Sequence, residues 1–152
     1  MKNLFNSTIS EIEITYRNSI PRDQMRKVMS SRDAFDTFRD IWSDQIEHIE
    51  QFYVLMMNQA NKVLGYTLIS SGGISSTVVD PKVIFQAALK ANASSIICAH
   101  NHPSGNNKPS EADVRIINKI NSGGEFLDIK VLDHMIITPN DTYYSFADEG
   151  RM

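Results

Sequence analysis

Residues 95–113 read SIICAHNHPSGNNKPSEAD, and this stretch sets how the rest of the chain must fold. Residues 95–100 form an apolar run of strand length, closed by a loop rich in proline, glycine and asparagine. The loop ends at Ser110-x-x-Asp113, a spacing that approximates a capping box and opens a helix. The helix is expected from about Ser110 to Asn121, with Ile116, Ile117 and Ile120 on its buried side and Gly123-Gly124 ending it. A strand, a returning loop and a helix start thus follow one another, with two histidines at the mouth of the strand.

Working upstream, Asp80-Pro81 predicts a helix with Asp80 as N-cap and Pro81 at the first helical position. Val83, Ile84, Ala87, Ala88 and Ala91 would pack its inner side. Residues 52–57 are continuously apolar and suggest a central strand. The turn Asn58-Gln59-Ala60-Asn61 joins them to a second strand at 63–70, giving a hairpin that Ser71-Gly72-Gly73 breaks. Ala34, Phe35, Phe38, Ile41 and Trp42 fall on one stripe of a helix opened by Ser30 and Ser31, with Ser30 and Asp33 at capping-box spacing. Residues 43–49 are either a linker or a continuation of that helix. Residues 11–16, Glu-Ile-Glu-Ile-Thr-Tyr, alternate so that Ile12, Ile14 and Tyr16 share the face of a half-buried strand. Downstream, three short strands are expected at 128–132, 134–138 and 143–146. Alternating strands and helices, with some strand pairs joined by short turns, predict a mixed sheet with helices packed on it.

Alternate strand residues point the same way, so His100 and His102 can present their imidazoles to one point. Neutral imidazoles are good zinc ligands at ~2.0–2.1 Å. If the loop brings the helix start back over the strand end, Asp113 adds a carboxylate oxygen. Three protein ligands leave a fourth position open for water, which distinguishes a catalytic zinc from a structural one. Such a site needs a carboxylate base, and Glu47 and Glu50 both lie just before the strand at 52–57. Alternation puts Glu50 on the side of Phe52 and Val54, a modest edge over Glu47. Ser110 and Asp113 have a complete structural reading as helix caps, compatible with ligation because a carboxylate has two oxygens. Cys98 shares the strand face of His100 but reads better as packing than as a thiolate ligand. His134 reads better as a structural histidine than as a group supporting the site, and His48 as a surface residue. The Gly105-Asn106-Asn107 loop either lines a substrate groove or only turns the chain. Lys108, Arg115 and Lys119 make at most a small basic edge.

The chain has 152 residues, 41% hydrophobic and 22% charged, which suits one globular domain rather than a disordered chain. A net charge of −3 gives no global basic signature, so nucleic acid is possible but unsupported by charge. The single cysteine, Cys98, excludes an intrachain disulfide and suits the cytoplasm. No apolar stretch approaches the ~20 residues of a membrane helix, and the N-terminus lacks a signal-peptide core, so a soluble cytoplasmic protein is expected. The sequence is silent on oligomeric state.

His-x-His, seven residues, then Ser-x-x-Asp resembles the JAMM motif of the JAB/MPN metalloprotease domains, and within them the bacterial RadC-like branch. SSGGISSTVVDP, HNHPSG, PSEAD, LDHMIIT and YYSFADEG carry the resemblance, over about residues 45–150. The resemblance implies an α+β fold similar to that of cytidine deaminases, a mixed, mainly antiparallel sheet with flanking helices. It implies zinc held by His100, His102 and Asp113, with Ser110 hydrogen-bonding the tetrahedral intermediate. Glu50-Gln51-Phe52 matches the family's acid-x-Phe pattern, which makes Glu50 the base. Characterised members outside bacteria cleave isopeptide bonds to ubiquitin-like proteins, so the implied substrate is a peptide or protein with an amide or isopeptide bond. Residues 1–44 would be an N-terminal strand and helix extension, and 45–152 the metallohydrolase domain. Many RadC-like proteins, usually labelled for DNA repair, carry an N-terminal helix-hairpin-helix region. The first 45 residues here are too few for one. A DNA-repair or nucleic-acid-processing factor, and a non-catalytic zinc module, remain the alternatives.

Overall fold

The computed structural model describes residues 8–74 and 77–152. The first seven residues of the N-terminus read above, and Ser75 and Ser76 of the SSGGISSTVVDP segment, lie outside the described residues.

The elements are helix α1 (Ser31–Ile41), strands β1 (Gln51–Met57) and β2 (Val63–Ser71), helix α2 (Pro81–Lys90), strand β3 (Ser95–Asn101), helix α3 (Glu111–Phe126), and strands β4 (Lys130–Ile137) and β5 (Tyr143–Ser145). The strands form one sheet in the order β2-β1-β3-β4-β5. β3 and β4 run parallel, joined by α3, while the other neighbours are antiparallel. This is the α+β, mainly antiparallel arrangement that the resemblance implies.

Strand alternation sorts the core into two sides. Tyr53, Leu55, Met57, Ile97, Ala99, Met135 and Ile137 face α1 and pack against Phe35 and Phe38. Phe52, Val54, Met56, Ile96 and Cys98 face the other way, onto Ile84, Phe85 and Ala88 of α2 and Ile120 of α3. Every residue of β1 and β3 is buried, because helices cover both sheet faces. Ser30 caps α1 by accepting the Asp33 N–H at 3.1 Å, and Asp80 caps α2 by accepting the Lys82 N–H at 2.9 Å. No described helix is long and apolar enough to cross a membrane.

Four local expectations need correction, and one open choice is decided. Residues 11–16 form no strand: Ile12 and Ile14 are 85% and 79% exposed. Alternation supplies an apolar face, but a strand also needs a neighbour for its N–H and C=O groups. Tyr16 reaches only as far as the Leu64 carbonyl, by its hydroxyl at 3.5 Å. Of the two readings for residues 43–49 the linker holds: α1 stops at Ile41, and turns follow it through the 44–48 region. Phe85, not Val83, is buried on α2. α3 runs through Gly123 and Gly124 instead of ending there. These glycines are close-approach sites: a Cβ on Gly123 would lie 2.8 Å from the Phe85 ring, and one on Gly124 would strike the Ile129 carbonyl oxygen. Residues 128–132 and 134–138 belong to one strand, β4, whose alternation is broken by an irregularity. Ile96 pairs with Val131 but Ile97 with Asp133, so Leu132 is the extra residue of a bulge.

Candidate metal centre and active-site cleft

β3 delivers His100 to its carboxyl end, opposite Phe52 of β1, and the chain continues to His102, whose N–H donates to the Ile137 carbonyl at 3.0 Å. The loop then turns at Gly105 (φ 86°) and returns to Ser110, the N-cap of α3. Asp113 sits one turn in. Its carboxylate accepts the Ser110 N–H at 2.8 Å while Ser110 Oγ accepts the Asp113 N–H at 3.1 Å, so the capping box is complete.

The same carboxylate also faces the histidines. His100 Nε2 lies 3.0 Å from His102 Nε2 and 3.3 Å from one Asp113 oxygen, and His102 Nε2 lies 3.4 Å from the other. Three donors at the corners of a tetrahedron around zinc, ~2.0–2.1 Å from the ion, would be separated by about 3.3 Å. These separations have the size a tetrahedral cation requires, with each histidine facing a different oxygen of the carboxylate. His102 Nδ1 is 2.6 Å from the Asn106 carbonyl, an obligate acceptor. The ring must donate there, which leaves the lone pair of neutral His102 on Nε2, facing the other two donors. Two imidazole nitrogens at 3.0 Å repel unless a proton or cation lies between them. The three residues fit a metal ion, and a His-His-Asp group of this kind could bind one.

The charges agree with the geometry. Burial opposes ionisation of Asp113, yet hydrogen bonds from His100 and His102, the charge of His100 and the Ser110 N–H hold its carboxyl well below the usual carboxylate range. Burial would lower His102, but its bonds to Asp113 and Asn106 and the charges of Asp113 and Glu50 raise it above the ordinary imidazole value. Glu50 is pushed up by burial and by Asp113, against the pull of His100 and His102.

A cleft of about 840 Å³ opens over this group, and Glu47, Glu50, His102, Asn106, Ser110 and Asp113 are among its walls. Glu50 is half-buried and Glu47 exposed. The Glu50 backbone extends the β1–β2 pairing, donating to Gly73 at 3.0 Å and accepting from Gly72 at 2.8 Å. Ser110 lines the cleft, and its capping role uses the oxygen as acceptor, so the hydroxyl proton stays available to a second partner. His48 also lines the cleft, bonded to Gln45 at 2.9 Å. The loop turns the chain at Gly105, and its Asn106 lines the cleft. Cys98 is packed with Phe52, Val54 and Ile84, and burial pushes its thiol far up, which suits packing and not ligation.

Two residues weighed lightly or missed in the sequence matter here. Asn101, between the histidines, points to the opposite face and is fully buried. Its side chain accepts the Gln51 N–H at 2.7 Å and donates to the carbonyls of Ile46 and Ile49, both at 2.9 Å. It thereby fixes the approach to β1 that carries Glu50. A polar residue alternating inward from an apolar strand end was the available signal, since burial obliges such a group to find partners. His134 is no isolated structural histidine: its Nε2 lies 2.7 Å from His100 Nδ1, and both rings are buried. Burial, then the charge of His100, lowers its affinity for a proton well below that of ordinary imidazole.

Residues 28–151 match the family model described as the RadC-like JAB domain. A UPF0758 protein of Flavobacterium johnsoniae is 46% identical over 127 residues, covering 84% of this chain and 54% of that protein. UPF0758 proteins of Chlorobium chlorochromatii and Porphyromonas gingivalis are 37% and 35% identical, covering 95% and 96% of this chain and 64% of each of theirs. The chain thus spans between half and two-thirds of the length of these relatives. With the sheet order, the His-His-Asp group at the β3–α3 junction and a family match over most of its length, the chain belongs to the RadC-like JAB domain family.

Proposed function

We propose that this domain is a zinc-dependent hydrolase that cleaves an amide or isopeptide bond in a peptide or protein. The observation that carries the reading is the convergence of His100, His102 and Asp113, their ring nitrogens and carboxylate oxygens 3.0–3.4 Å apart, beside the half-buried Glu50. His100 Nε2, His102 Nε2 and one Asp113 oxygen would hold the ion. Bound there, zinc supplies Lewis-acid polarisation of a carbonyl and a water acidic enough to react near neutral pH. Glu50 would take a proton from the attacking water and return it to the leaving amine, and its raised proton affinity suits a group that must do both. Ser110, whose oxygen is engaged by the Asp113 N–H, donates its own hydroxyl proton to the developing oxyanion.

Nucleic-acid processing is the weaker reading. Among the described residues lining the cleft, Lys108 is the one lysine or arginine, which gives a phosphate backbone little to hold. The test is zinc analysis together with turnover of a peptide and isopeptide library by wild type and Glu50→Gln. About one zinc per chain in both, with turnover only in wild type, is the expected result. Absence of zinc from wild type, or equal turnover by the two proteins, would refute the reading.

A further inference from the structure

The bulge in β4 has a consequence at the metal site. Val131 packs on the side of α2 and α3. Strict alternation from Val131 would turn His134 to the α1 side. The extra residue Leu132 resets the pattern, so Met135 and Ile137 face α1 while Ile136 joins Ile117 of α3. His134 therefore emerges on the α3 side, beside His100. Bulges commonly re-aim one side chain in this way.

There His134 is enclosed by aromatic rings. Its centroid lies 5.4 Å from that of Phe52, 5.0 Å from His100 and 5.7 Å from Phe146, the last edge-on. The Phe52 ring lies parallel to His100, 1° from coplanar in orientation. The contact of His134 Nε2 with His100 Nδ1, at 2.7 Å, is a hydrogen bond between two ring nitrogens, so one proton serves both.

We propose that His134 is a positioning residue of the metal centre. Its Nε2 accepts the Nδ1–H of His100 and thereby commits His100 to the tautomer whose Nε2 lone pair faces His102 and Asp113. This rests on the reading of those three residues as zinc ligands. The alternative direction, with His134 donating to His100 Nδ1, would put the proton of neutral His100 on Nε2 and spoil it as a ligand. Ligating histidines generally depend on such a partner at the far nitrogen, and its loss typically weakens metal binding about 10–100-fold. His102 has the Asn106 carbonyl in that role, and His134 is the counterpart for His100.

The test uses the full chain, wild type, His134→Leu and His134→Gln, with zinc affinity measured by chelator competition. Leucine removes the acceptor, and the Gln side-chain carbonyl restores one near the position of Nε2. His134→Leu should lose about 10–100-fold in affinity and His134→Gln should recover most of it. In parallel, nitrogen-15 spectra of the histidine rings in zinc-loaded wild type should show the His100 proton on Nδ1, coupled across the hydrogen bond to His134 Nε2. Unchanged affinity in a folded His134→Leu, or a His100 proton on Nε2, overturns the inference while leaving the ligand set intact. If His134→Leu does not fold, the wild-type spectrum and His134→Gln decide the question. Failure of wild type to bind zinc at all overturns the ligand reading as well.

Discussion

His100 and His102 stand two residues apart and aim at the same point, but their surroundings differ. His100 is held by the sheet: it is buried, stacked beside Phe52, and bonded at Nδ1 to a side chain of a neighbouring strand. His102 is held by a loop: it lies past the end of β3, and its Nδ1 bonds to the backbone carbonyl of Asn106. The sheet side is expensive to perturb because every atom there is packed. The loop side depends on the conformation of a few residues around Gly105. The cleft is lined from both sides, by Phe52 and His100 of the sheet and by His102 and Asn106 of the loop.

The largest expected effect erases the difference. His100→Ala and His102→Ala should each abolish stoichiometric zinc, read by metal analysis; retention of zinc by either variant would remove that histidine from the site. Stability should then separate the two sides. Phe52→Ala should cost about 3–5 kcal/mol in denaturant unfolding, as expected for a large side chain buried in the core. Asn101→Leu should cost less, about 1–3 kcal/mol, by leaving the Gln51 N–H and the Ile46 and Ile49 carbonyls without their partner. Its zinc content should be retained while turnover falls, because what loosens is the backbone leading to Glu50.

The pH dependence probes the loop-side histidine. His102 has a raised proton affinity in the metal-free protein, so protons compete with zinc from above the ordinary imidazole value of 6.5 downward. Zinc affinity should fall about tenfold per pH unit below the folded-state pKa of His102, for one proton displaced. Metal-free stability has the opposite sign. A group whose folded pKa is raised contributes fully below its unfolded pKa, and that contribution disappears as pH rises through the folded one. Thermal melts of metal-free and zinc-loaded protein should therefore diverge with rising pH. The smallest effect belongs to Gly105→Ala. The positive φ costs about 1 kcal/mol with a side chain present, and the added Cβ would lie 2.9 Å from the movable Asn140 amide. Zinc binding should weaken slightly and folding hardly at all. A loss as large as that of Phe52→Ala would show that the loop is no more adaptable than the sheet.

Much of the site was legible because its information is local. The pairing of His100 and His102 was read from a period of two on a strand, and it holds although His102 lies one residue past the end of β3; Ser110 and Asp113 were read from helix-capping chemistry. The family resemblance supplied the convergence of these groups and the preference for Glu50. Where local patterns failed, a packing partner had the decisive vote. The alternation of Ile12 and Ile14 is as regular as in any strand, yet the pair stays exposed. Gly123-Gly124 has the composition of a helix end, but Phe85 and the Ile129 carbonyl lie so close that only glycine fits, and the helix continues.

The sequence by itself determined the apolar cores of β1 and β3, the caps of the three helices, and the donor types gathered between His100 and Asp113. Those features depend on residue type and near neighbours. Only the tertiary structure decided that β4 is one bulged strand, that Asn101 braces the approach to Glu50, and that His134 lies against His100. These depend on contacts 34 to 55 residues apart in the chain, or on the register between two strands. A one-residue shift in that register reverses which face a side chain occupies, and no local pattern in LDHMIIT records the shift.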